Sequence, residues 1–168
     1  LGILARIFGE RRDESLALYQ AVVARAREHH WYVEGAVPDT VDGRFDVVAA
    51  VLSLVLLRLE SEAAGAQPAV HLAERFVDDM DPQLREIGIG DLVVGKHVGR
   101  MMAALGGRLG AYREALAAGD LRPALIRNLY RGAAPAPAAL DHAAGALSEL
   151  HAALASASVA TLVGGQLP

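Results

Sequence analysis

Asp46-Val47-Val48-Ala49-Ala50-Val51-Leu52-Ser53-Leu54-Val55-Leu56-Leu57-Arg58-Leu59-Glu60 is apolar almost all round when wound as a helix. A helix without a polar face belongs in the middle of a bundle, covered by its neighbours. A bilayer is the other place that accepts such a surface, but it requires ~20 consecutive apolar residues. The run from Val47 to Leu57 is interrupted by Ser53 and flanked by Asp46 and Arg58, so a buried core helix is the reading.

Helical spacing continues on both sides. Leu16, Tyr19, Val23, Ala26 and His30 recur at steps of three and four after Asp13, a plausible N-cap. Val70, Ala73, Val77 and Met80 repeat the pattern, with Pro68 near the start of the helix, where its missing N–H costs nothing. Asp81-Pro82 predicts an N-cap and first position of a short helix that Gly88 ends. Asp91 opens the next, with the stripe Val94, Val98, Met101 and Leu105, and Gly106-Gly107 is expected to break it. Shorter helices follow over Tyr112–Ala118 and, after Asp120, over Leu121–Tyr130. Leu140, Leu147 and Leu154 mark a last, alanine-rich helix, which either docks on the domain or pairs with a second copy. No stretch alternates with a period of two between turn residues. The fold class is all-α, a single-domain bundle of six to eight helices. Its parts are an amphipathic segment over 1–12, a helical domain over 13–131, a Pro/Ala linker over 132–139, and a C-terminal helix and tail over 140–168.

Length and composition narrow the function. At 168 residues and 17.6 kDa the chain suits one domain. It is 53% hydrophobic and 21% charged, too apolar for a disordered segment. Cysteine is absent, which excludes disulfides, thiolate metal sites and thiol catalysis. The net charge is −4, and Lys96 is the sole lysine, so there is no basic excess and nucleic acid is not an expected partner. No secretory signal pattern is visible at the start, and a cytoplasmic location is the default expectation. Leu1-Gly2-Ile3-Leu4-Ala5-Arg6-Ile7-Phe8 with Arg11-Arg12 is short, apolar and basic-edged. A helix packed on the core is the favoured reading of it, with peripheral membrane contact as the alternative.

The motifs that resemble catalytic or ligand sites fail on their details. Gly90-Asp91-Leu92-Val93-Val94-Gly95-Lys96 has the outline of a phosphate-binding loop, but Asp91 would repel phosphates and His97 stands where a hydroxyl is needed for magnesium. The reading is an N-capped helix, with Gly95 and Gly99 permitting close approach of another. Asp39-Thr40-Val41-Asp42-Gly43-Arg44 lacks the alternate oxygens of a calcium loop. It suits a helix start, with Asp39 as N-cap and Asp42 reaching back. Asp78, Asp79 and Asp81 are read as solvated or locally paired acids, with Arg85 a partner for Asp81, rather than as metal ligands. His29, His30, His71, His97, His142 and His151 include no pair four apart with a glutamate between, and no Gly-x-Ser-x-Gly elbow exists. An enzyme is not expected.

Val37-Pro38-Asp39-Thr40-x-Asp42-Gly43-Arg44-Phe45-Asp46 and Asp79-Met80-Asp81-x-x-Leu84-Arg85-Glu86-x-Gly88-x-Gly90-Asp91-x-x-Val94-Gly95-Lys96 resemble the two signature stretches of the ubiquinol–cytochrome c chaperone family. Gly107-Arg108 with Tyr112, and Arg127-Asn128 with Tyr130, resemble its later landmarks. The likeness runs from about Tyr19 to Tyr130; Gly106 departs from it, where an aromatic residue is expected, and the stretch after Ala133 lies outside it. The resemblance implies a bacterial assembly factor for respiratory complex III, without a cofactor, that chaperones newly made cytochrome b at the cytoplasmic face of the inner membrane. Its partner is then cytochrome b or another complex III assembly component, and a homodimer is a further expectation. The expected docking surface is a groove between the Asp39–Arg44 turn and the Asp78–Lys96 region. There Asp39, Arg44, Arg85, Glu86, Asp91 and Lys96 orient the client by charge. The alternative is that Arg85, Glu86 and Asp91 pair internally. A small helical haem or ligand carrier using His97 or His71 is the competing class.

Overall fold

α2 (Val41–Glu60) runs through the centre of the molecule, and Val47 through Leu56 are buried without a break. This is what an all-round apolar helix demands: other helices must cover every side. Ser53, the polar residue inside the run, donates its Oγ–H to the Ala49 carbonyl at 2.6 Å and so carries no unmet hydrogen bond. The computed structural model describes the backbone of residues 15–86 and 91–168, and the side chains of 15–80 and 99–168. Asp13, Gly88 and the 1–12 segment therefore lie outside the described residues.

Seven helices and no strand occur among the described residues. α1 covers 15–26, α3 Ala66–Glu86, α4 Asp91–Ala118, α5 Arg122–Asn128, α6 Pro137–Ser156 and α7 Val159–Val163. Single 3-10 turns lie at His29–Trp31 and Ala63–Gly65. α3, α4 and α6 pack against α2, and α5 packs between α4 and α6. One core cluster joins Leu18 and Val22 of α1, Leu72 and Phe76 of α3, Tyr112 of α4, Leu125 of α5, and Leu147 and Leu154 of α6. α6, the alanine-rich helix, docks on the domain. Arg58 of α2 fastens its end, donating Nε–H to the Leu154 carbonyl at 3.0 Å and Nη2–H to the Ala157 carbonyl at 2.7 Å. A cation on the last carbonyls of a helix also opposes the negative end of its dipole.

Several sequence expectations are corrected. α3 continues through Asp81-Pro82 instead of restarting there. Proline in a helix forgoes one backbone hydrogen bond and strains the preceding turn. Burial of Phe76, Val77 and Met80 just upstream supplies packing that local propensity does not see. The buried stripe of α3 is Ala69, Leu72, Phe76, Val77 and Met80, whereas Val70 is 54% exposed. α4 likewise runs unbroken through Gly106-Gly107, so Tyr112–Ala118 is not a separate helix. α6 begins at Pro137, inside the expected linker.

A Cβ added at Gly99, Gly106, Gly107 or Gly110 meets nothing within 4 Å. Nothing described in the fold requires glycine at these positions. Gly106→Ala is therefore expected to raise stability by about 0.5–1 kcal/mol, the usual gain from removing glycine from a helix interior. A thermal melt of the variant beside the parent measures it.

Candidate functional site

The signature residues divide between a buried clasp and an open groove. In the clasp, Asp46 of α2 is 1% exposed and accepts from two arginines distant in sequence. Arg108 of α4 donates Nη2–H to Oδ1 at 2.9 Å, and Arg131, just beyond α5, donates Nε–H to Oδ2 at 2.6 Å. Arg131 also reaches Asp42 on the first turn of α2, at 3.0 Å. Its backbone is left-handed, φ 51°, a conformation that costs about 1–2 kcal/mol outside glycine, and the two carboxylates hold it there. The guanidinium of Arg108 lies 5.4 Å from the centre of the Phe45 ring. Tyr130 donates its hydroxyl to the Gly35 carbonyl at 2.6 Å, and burial pushes its pKa up to about 12. Asp42, Phe45 and Asp46 of the first signature thus meet Arg108 and Arg131, and their work here is to tie α2, α4 and the end of α5 together.

The Asp39–Arg44 turn sits at the entrance of α2. Thr40, not Asp39, is its N-cap: the Thr40 hydroxyl accepts the Gly43 N–H at 3.1 Å. Asp42, expected to reach back across the cap, is turned to Arg131 instead. Asp39 is thereby free to accept from Arg44 Nε–H at 2.7 Å on the surface. This bond holds the Asp39 carboxyl below the usual carboxylate range. A group whose pKa falls on folding contributes stability above its unfolded pKa and loses it as pH drops through the folded one. The Asp39–Arg44 pair should consequently survive acidification past the ordinary midpoint of about 3.9. A carboxyl NMR titration is expected to place Asp39 below that value, and Arg44→Ala to return it to the ordinary range.

Beside this turn the structure opens a groove. One cavity of about 500 Å³ is lined by Arg27, His29, Tyr32, Asp39, Arg44 and Phe45, with Val41 and Met80 among its other walls. A second, of about 550 Å³, lies between α1 and α3 and is lined by Leu16, Gln20, Ala24, Arg75 and Asp78. Both include Tyr19, Val23, Arg27 and Asp79, so they are two halves of one groove. Tyr19 donates its hydroxyl to Asp79 at 2.7 Å and ties the α1 wall to the α3 wall. Burial, reinforced by that carboxylate, drives the Tyr19 pKa far upward, so the phenol stays a donor. Asp79 and Met80, the first two residues of the second signature, belong to the groove.

Of the expected site residues, Asp39 and Arg44 are paired on the groove rim. Arg85 and Glu86 end α3, while Asp91 opens α4 and Lys96 lies in its second turn. The side chains of these four lie outside the described residues. Tyr19 and Arg27 escaped sequence reasoning, because on α1 and in the turn after it they carry no motif and acquire meaning only opposite Asp79. Among the described residues no group of three or more His, Asp or Glu is placed to hold a metal. His71 meets Gln67 at 3.3 Å, and the side chain of His97 lies outside the described residues. His30 Nδ1 instead lies 3.0 Å from His142 Nε2, with Glu28 on its other nitrogen at 3.1 Å, which joins the turn after α1 to α6. No described helix is long and apolar enough to cross a membrane.

The described residues thus form an all-helical domain with a buried charged clasp and an open groove beside it. The comparisons define it further. Residues 34–167 match the family model described as ubiquinol-cytochrome C chaperone, and the chain belongs to that family of complex III chaperones. The match takes in α6 and α7, which the sequence motifs had left outside. The crystal structure of the Cbp3 homolog from Brucella abortus is similar over 98% of this chain and 93% of that one, with 32% identity and a TM-score of 0.83. A search of the curated proteins finds no match.

Proposed function

We propose that this protein assists assembly of ubiquinol–cytochrome c reductase by binding newly made cytochrome b at the cytoplasmic face of the inner membrane. The observation that carries the reading is the groove: it combines family-signature residues with an apolar and aromatic lining and an exposed charged rim. A nascent polytopic membrane protein offers apolar segments flanked by charged loops. A groove lined by Val23, Tyr32, Phe45 and Met80 shields the former, and the rim charges of Asp39 and Arg44 orient the latter. Arg85, Glu86, Asp91 and Lys96, on the α3–α4 junction, extend the charged border in this proposal.

Affinity isolation of the tagged full chain after a brief pulse of labelled amino acids tests the proposal. Labelled cytochrome b is expected to co-isolate and to decline during the chase as complex III forms. Absence of cytochrome b at every chase time, with the bait fully recovered, contradicts it.

A further inference from the structure

We propose that the α1 wall is part of the client site and that Arg27 selects a segment carrying a carboxylate midway along it. This rests on the docking reading above and specifies its ligand. Leu16, Gln20, Val23 and Ala24 of α1, with Arg27 in the turn just beyond it, line the groove as one stripe. Eleven steps at 1.5 Å make that stripe about 16 Å long, before the Tyr32–Phe45 end is added. This length matches about three turns of an amphipathic helix laid into a groove and exceeds what a compact small ligand covers.

Charge sets the register. In the Tyr32 half of the groove the two carboxylates are already engaged, Asp39 by Arg44 and Asp79 by Tyr19. The nearby phenols are engaged as well, since Tyr32 donates to the Ala26 carbonyl at 3.0 Å. Arg27 is exposed, lines both halves, and has no side-chain hydrogen bond or ion pair with any described residue. Asp78 lines only the Leu16 half, where Arg75 also stands. An acidic side chain on the occupant finds in Arg27 a partner that the fold leaves open.

Photocrosslinking in cells tests this, with benzoylphenylalanine placed separately at Gln20 on the α1 wall, at Val41 at the far end, and at Met102 on α4 as a control outside the groove. Newly made cytochrome b is expected to crosslink from Gln20 and Val41 and not from Met102. Arg27→Glu should lower the Gln20 yield about tenfold while Arg27→Lys keeps most of it, as removal of a specific charge contact does. The thermal midpoint of Arg27→Glu should match the parent, because the side chain is exposed and bonded to no described residue. Crosslinks from Val41 alone, a Gln20 yield indifferent to Arg27→Glu, or a mapped segment without Asp or Glu overturns the inference and leaves docking intact. No cytochrome b adduct from either groove position overturns docking itself.

Discussion

Asp46→Ala is expected to lower the unfolding free energy by about 3–5 kcal/mol, the largest loss of any single substitution at the signature residues. Asp46 is 1% exposed and accepts three hydrogen bonds from Arg108 and Arg131. Removing it leaves the Arg108 side chain, only 16% exposed, as a charge in a low-dielectric setting with no carboxylate opposite. It also releases Arg131, which then has only the exposed Asp42 to hold its left-handed backbone. The penalty comes from the stranded cation more than from the lost bonds, and that origin is itself testable. Combining Asp46→Ala with Arg108→Met should cost clearly less than the two single changes added together, because no buried charge is left unpaired. Urea unfolding of the parent, both single variants and the double variant reads the whole cycle. An additive result would mean that the clasp contributes packing and not charge.

Gly43→Ala should cost about 3 kcal/mol despite adding a single methyl group. The new Cβ would fall on the Pro38 carbonyl oxygen, inside van der Waals contact, and 3.0 Å from the Pro38 carbonyl carbon. Both obstacles are backbone, so neither can rotate away. The turn would have to lift off the helix, drawing Thr40 from the Gly43 N–H it caps and loosening the Asp39–Arg44 pair. A lost cap is worth about 1 kcal/mol and overpacking against a rigid neighbour about 1–3 more. A fall in the melting temperature of roughly 6–12 °C follows for a chain of this size. Gly106→Ala, one methyl group in open space, has the opposite sign, and the two variants in one experiment separate glycine required by close approach from glycine that is not.

How legible the molecule is in its sequence depends on the range of the interaction. Asp46–Glu60 announces a central helix because burial on all sides leaves a mark on every residue of it. Leu140, Leu147 and Leu154 mark the docked face of α6 for the same reason, and all three are buried. Local breaker signals mislead where packing outweighs them, as at Pro82 and at Gly106-Gly107, both inside continuous helices. The cap at α2 was misplaced by one residue: Asp39 and Thr40 are both good caps, and only the position of Arg44 shows that Asp39 is engaged elsewhere.

The site is harder to read. Asp46 meets Arg108 and Arg131 across 62 and 85 residues of chain, and Tyr19 meets Asp79 across 60. Such pairings are set by how helices are arranged and leave no periodic trace. The family resemblance runs through Asp46, Arg108 and Tyr130, which all belong to the stretches that carry it. It did not show that they serve the clasp, whereas Asp39, Arg44, Asp79 and Met80 face the groove.

The role proposed for this protein is in the assembly of complex III, through cytochrome b. Its most direct test is a reduced-minus-oxidised haem difference spectrum of membranes from a strain lacking the protein, beside the parent and a complemented strain. A selective loss of the cytochrome b signal is expected, which the intact gene restores and a variant reversed at both Arg27 and Arg44 restores poorly. An unchanged cytochrome b signal in membranes fully depleted of the protein would contradict it.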